Sequence, residues 1–70
     1  MTIEVFKTSI QSEEHANEIL KMLMLSFPGY RMNFDLDDCD KIFRVAGNGI
    51  DVSKIIETFH SLGFYCEVLL

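Results

Sequence analysis

Ser12-Glu13-Glu14-His15 gathers more chemically capable groups than any other stretch of this 70-residue chain. It places a hydroxyl, two carboxylates and an imidazole in consecutive positions, while two thiols, Cys39 and Cys66, stand elsewhere. His15 with Glu13 or Glu14, facing Cys66 and with His60 as a further imidazole, would make a His/carboxylate/Cys donor set. Such a set suits Zn(II) or Cu(II) better than Cu(I). Zinc sites normally gather three or four ligands, and this stretch supplies one or two of them. The competing reading is structural. Ser12 caps a helix, the two acids answer the positive end of the helix dipole, and His15 faces solvent in the first turn.

The remaining polar residues carry less. Asp37-Asp38-Cys39-Asp40 lacks the twelve-residue spacing, central glycine and closing glutamate of a calcium-binding hand, so it reads as a solvated hairpin tip. Cys39 stands among three aspartates that hold its thiol neutral rather than activate it. Cys66 has no basic neighbour and reads as a small core filler. No Ser/His/Asp constellation and no glycine-rich phosphate loop occurs, and Gly47-Asn48-Gly49 reads as a turn. The chain is therefore expected not to be an enzyme.

Composition narrows the partners. The formal charge of −5 argues against nucleic acid, which needs a basic stripe on its binding surface. A protein partner, self-association or a cation remains compatible with that sign. Hydrophobic residues make up 49% of the chain, including six Phe, which is ample for one packed core and excludes disorder. Seventy residues leave no room for a second core, so the chain is expected to form one domain over 1–70. Two distant cysteines imply no disulfide framework and point to a reduced, cytoplasmic setting. No apolar run approaches the ~20 residues of a membrane helix, and no basic segment followed by an apolar run marks a secretory signal.

The elements that must position these groups follow from periodicity. Thr2 to Ile10, rich in β-favouring residues, reads as a first strand. Ser12 then caps a helix whose stripe is Ala16, Ile19, Leu20, Leu23 and Phe27, ended by Pro28-Gly29. Met22, Met24 and Leu25 lie off or beside that stripe and offer exposed apolar surface. Tyr30 to Asp37 alternates strictly, with Tyr30, Met32, Phe34 and Leu36 on one side and Arg31, Asn33, Asp35 and Asp37 on the other. Lys41 to Ala46 returns as the second arm of a hairpin. Asp51 caps a second helix with the stripe Val52, Ile55, Ile56, Phe59 and Leu62, and Gly63 ends it. Phe64 to Leu70 reads as a last strand.

The order β-α-β-β-α-β is the ferredoxin-like architecture: an α+β sandwich with a four-stranded antiparallel sheet and both helices on one face. Acylphosphatase-type enzymes share this topology, but their phosphate cradle needs an Arg where this chain is acidic. The topology places the turn after the first strand, the hairpin tip near Cys39 and the link into the last strand at one end. The other sheet face is left open, with Ile42, Arg44 and first-strand residues expected to point into it.

Several segments together resemble the heavy-metal-associated domain family, the small domains of copper chaperones and metal-transporting ATPases. They are Phe6-Lys7-Thr8-Ser9-Ile10, Leu23…Phe27-Pro28-Gly29-Tyr30, Asp40-Lys41-Ile42-Phe43-Arg44-Val45-Ala46-Gly47 and Ile55-Ile56…Leu62-Gly63-Phe64. The resemblance covers nearly the whole chain. In that family a Cys-x-x-Cys pair after the first strand holds Cu(I) or Zn(II) between two thiolates. Here the resemblance puts Ser12 at the first Cys and His15 at the second, with Glu13-Glu14 between. A frame shifted by one places Glu13 and Ala16 there. Neither frame restores a dithiol. The resemblance thus implies a metallochaperone-like scaffold with a degenerate metal-binding site. It would act by protein interaction, or else bind or transfer zinc or copper through Ser12, Glu13, His15 and Cys66.

Overall fold

In the computed structural model, which describes residues 1–69, the chain forms six elements. They are β1 (Thr2–Thr8), α1 (Glu13–Ser26), β2 (Arg31–Asp35), β3 (Ile42–Gly47), α2 (Val52–Ser61) and β4 (Cys66–Val68). The strands make one antiparallel sheet in the order β2-β3-β1-β4, the ferredoxin-like topology. β1 ends two residues before the expected Ile10, β2 falls one and two residues inside Tyr30–Asp37, and β3 is shifted by one, from Lys41–Ala46 to Ile42–Gly47. Of the expected last strand, Phe64 and Tyr65 precede β4, Leu69 follows it, and Leu70 lies outside the described residues.

One side of the sheet carries the core. Phe6 pairs with Phe43, which pairs with Phe34, and all three face the helices. Ile19 and Leu23 from α1 and Ile55 and Phe59 from α2 close over them in a single cluster, so both helices lie on that face. The aromatic rings interlock around Phe43, whose centroid lies 5.8 Å from Phe6, 4.8 Å from Phe34 and 5.4 Å from Phe59. Tilted arrangements at these separations are the favourable ones for aromatic quadrupoles. The alternation of Tyr30, Met32, Phe34 and Leu36 is realised as expected, all four packing on the core.

The α1 exit is built by Tyr30. Its ring stacks on Phe27 at 4.7 Å, and its hydroxyl donates to the Gly49 carbonyl and accepts from the Asp51 N–H. That clamp joins the end of α1 to the start of α2. It also explains Gly47, where a β-carbon would stand 2.7 Å from Tyr30 Cδ1 and the stacked, hydrogen-bonded ring has nowhere to go.

Ile42 and Arg44 both stand on the open face, as expected, and differ in exposure. Ile42 is on that face, in line with Lys7 on β1 and Asp35 on β2, but it is only 4% exposed. It sits in an inner strand between those two neighbours, so it adds nothing to an accessible patch. Arg44 does reach the surface and pairs with Asp35 at 3.7 Å. The apolar surface there comes instead from Ile3, with half-buried Val5 and Ala46 beside it.

Candidate functional site

Three connections meet at one end of the sheet because β1 ends in residues that bond to both neighbouring loops. The Thr8 N–H donates to the Asp40 carbonyl, and the buried Thr8 hydroxyl donates to the Lys41 carbonyl at 2.6 Å. The same hydroxyl accepts the Ile10 N–H at 3.2 Å, turning the chain out of β1. On the other flank the Ser9 N–H donates to the Tyr65 carbonyl, and the Tyr65 N–H donates to the Ser9 hydroxyl at 2.8 Å. The hairpin tip and the entry to β4 are thereby tied to the first turn. Sequence reading missed Thr8 and Ser9. Thr and Ser at the end of a strand signal local hydrogen bonding, but the partners are more than thirty residues away.

From Ser9 the chain turns through buried Ile10 into α1. Ser12 is extended (φ −130°, ψ 151°), and its hydroxyl accepts the His15 N–H at 3.2 Å. It is the helix cap, with Glu13 and Glu14 in the first turn as the dipole favours. Asp51 caps α2 in the same way, accepting the Lys54 N–H. Glu13 and His15 are both exposed, and the His15 imidazole leans on the Phe64 ring with centroids 5.0 Å apart. His60 is exposed in the last turn of α2.

Cys66 is elsewhere in depth. It is 3% exposed, pairs with Thr8 across the β1–β4 ladder and belongs to the core cluster. Burial pushes its thiol up to about 12, so it stays protonated near neutral pH and is a poor metal ligand. Among the described residues Glu13, His15 and Cys66 do not come together as a set of donors. The structure keeps two exposed donors at the helix start and seals the thiol in the core. Among the described residues, the group of three potential donors that does converge is Asp38, Cys39 and Asp40, within 4.8 Å at the hairpin tip. Asp38 is already engaged there, its carboxylate accepting the Asp40 N–H at 2.9 Å. This is the Asx turn expected of a solvated tip. Lys41, held at φ 50°, completes that turn and donates through Nζ to the Leu36 carbonyl.

Both cysteines are free, one exposed and one buried. Cys39 is therefore expected to react with iodoacetamide in the native protein, and Cys66 only on unfolding. The raised thiol also fixes a pH dependence. A group whose folded pKa is lifted from 9.0 to about 12 holds its stabilising contribution below about pH 9 and loses it as pH climbs toward 12. In denaturant titrations at pH 7 and pH 10.5, Cys66→Ala should be less stable at pH 7 and lose less between the two. A wild-type and variant difference that is the same at both pH values would contradict this origin.

No protein-family model, curated protein or solved structure significantly matches the chain. Among the described residues no helix is long and apolar enough to cross a membrane.

Proposed function

We propose that this chain is a non-catalytic, heavy-metal-associated-like domain whose first turn has lost its dithiol and which works by contact with another protein. The observation that carries the reading is the contrast at the two ends of α1. At its start, a capping Ser12, exposed Glu13 and ring-packed His15 stand where a soft-metal dithiol would be, and the Cys66 thiol is buried and protonated. At its other end Leu25 is 86% exposed and Met24 58%, with Met22 beside them. Apolar side chains grouped on one turn mark contact surfaces, and Met adapts readily to a partner. Two unpaired thiols support a reduced, cytoplasmic setting, and the charge of −5 supports a protein rather than a nucleic acid as the partner.

The competing reading is weak zinc or copper binding through His15 and Glu13, with Ser12 and Cys66 recruited by rearrangement. Titrating the 15N-labelled protein with Zn(II) and with Cu(I) separates the two. The contact reading expects a spectrum unchanged at stoichiometric metal. Shifts confined to Ser12–Ala16 and Tyr65–Glu67 would replace it with the metal reading.

A further inference from the structure

Among the described residues β2 is the outermost strand of the sheet, so one side of its backbone has no strand partner. The opposite edge, β4, is only three residues long, and very short edge strands are self-protecting. β2 runs for five residues, Arg31–Asp35, with no proline or lysine and with its two charged residues at the strand ends only. Beside it, between the edge and α1, lies an open groove of about 480 Å³. Half-buried Leu20, Met32 and Phe34 supply apolar surface within it. Glu13, Asp35 and Asp37 supply carboxylates, and no Lys or Arg lines it. Of the basic side chains of the hairpin, Lys41 is engaged with the Leu36 carbonyl, Arg44 pairs with Asp35 at 3.7 Å and shares its charge, and Arg31 stands exposed at the start of β2 outside the groove lining.

We propose that this edge and groove receive an extended basic segment of a partner protein, which adds to the sheet as a fifth strand beside β2. The inference rests on the protein-contact reading above and names the partner's chemistry. The main chain of the segment satisfies the outward N–H and C=O groups of β2, the source of affinity in strand addition. Its side chains alternate, so one set is apolar and covers Leu20, Met32 and Phe34 on the helix side. The other set is Lys or Arg and meets Asp35 on the open side of the strand and Asp37 beyond it, while Glu13, on α1, adds negative charge on the helix side of the groove. An acidic, apolar-floored groove along an unpaired strand excludes an acidic segment by like-charge repulsion.

The test is an NMR titration of the whole 15N-labelled chain with a synthetic octapeptide of alternating valine and lysine. Two control peptides replace lysine by glutamate, or carry N-methyl groups on alternate backbone nitrogens. The alternating Val/Lys peptide is expected to shift Arg31–Leu36 and Leu20, with no such response to either control. Glu13→Lys combined with Asp37→Lys, both exposed positions, should weaken binding about tenfold while leaving the dispersed spectrum of a folded chain. Shifts lying away from β2, equal binding of the glutamate peptide or equal binding of the N-methylated peptide would each overturn the proposal. So would silence at millimolar peptide. Silence with peptide and with metal removes the edge site alone, whereas metal shifts at the first turn remove the contact reading itself.

Discussion

Phe43→Ala is expected to lower the unfolding free energy by about 3–5 kcal/mol, the range for deleting a fully buried aromatic ring. A 70-residue domain has only roughly 4–10 kcal/mol of stability at ordinary values per residue, so this substitution should bring the fold close to its unfolding threshold. The reason lies in the position of the ring. Phe43 is fully buried on β3, an inner strand, and its ring contacts Phe6 on β1, Phe34 on β2 and Phe59 on α2. Three strands and a helix therefore lose contact at once, and a cavity among aromatic rings relaxes poorly because they are stiff. Urea denaturation of wild type, Phe43→Ala and Phe43→Leu is the measurement. Phe43→Leu should fall between the other two. A Phe43→Ala loss under about 1 kcal/mol would mean that the ring is not the centre of the core.

The same core shows which features were legible in the sequence. Strict alternation from Tyr30 to Leu36 named the buried face of β2, because a period of two leaves no choice of side once one face is covered. The helical stripes found Ile19, Leu23, Ile55 and Phe59, and Ser12 and Asp51 announced both helix starts. These signals are local. Ile10 looked like strand because it is apolar and follows Thr8, yet Thr8 turns its hydroxyl inward and ends β1 two residues earlier. Ile42 was expected on an open face, and parity does put it there. Its cross-strand neighbours decide its exposure, and pairing across the sheet is not written in a single strand.

The candidate site was legible in place but less so in depth. Topology alone put the first turn, the hairpin tip and the entry to β4 together, and hydrogen bonds from Thr8 and Ser9 join them. Cys66 read as a small core filler from its own surroundings, while the resemblance offered it as a ligand, and the choice turns on whether its side chain points up to the loops or down into the core. The structure points it down, into the core cluster. The β2 groove had no signature in the sequence, because Glu13 and Leu20 approach β2 only through the packing of α1 on the sheet.

Thr8→Val should cost about 2–3 kcal/mol, although it removes no apolar volume and suits a strand. The hydroxyl it deletes holds two backbone groups. It donates to the Lys41 carbonyl at 2.6 Å and accepts from the Ile10 N–H at 3.2 Å, at a residue 6% exposed. A valine of the same shape leaves both groups without that partner, and each unsatisfied buried group costs about 1–3 kcal/mol. The Lys41 carbonyl belongs to a residue at φ 50°, an uncommon conformation for a side-chain-bearing residue, sustained when its surroundings hold it. Losing the Thr8 bond therefore frees the hairpin tip as well as destabilising the first turn. Thr8→Ser keeps the hydroxyl and should cost less than half as much. Amide exchange at Ile10 and Lys41 should rise in Thr8→Val by more than global stability alone predicts, while exchange in α2 follows the global change. A loss in Thr8→Ser with little in Thr8→Val would assign the residue's contribution to its methyl group, and the first turn would then be held chiefly by Ser9 and its bonds to Tyr65.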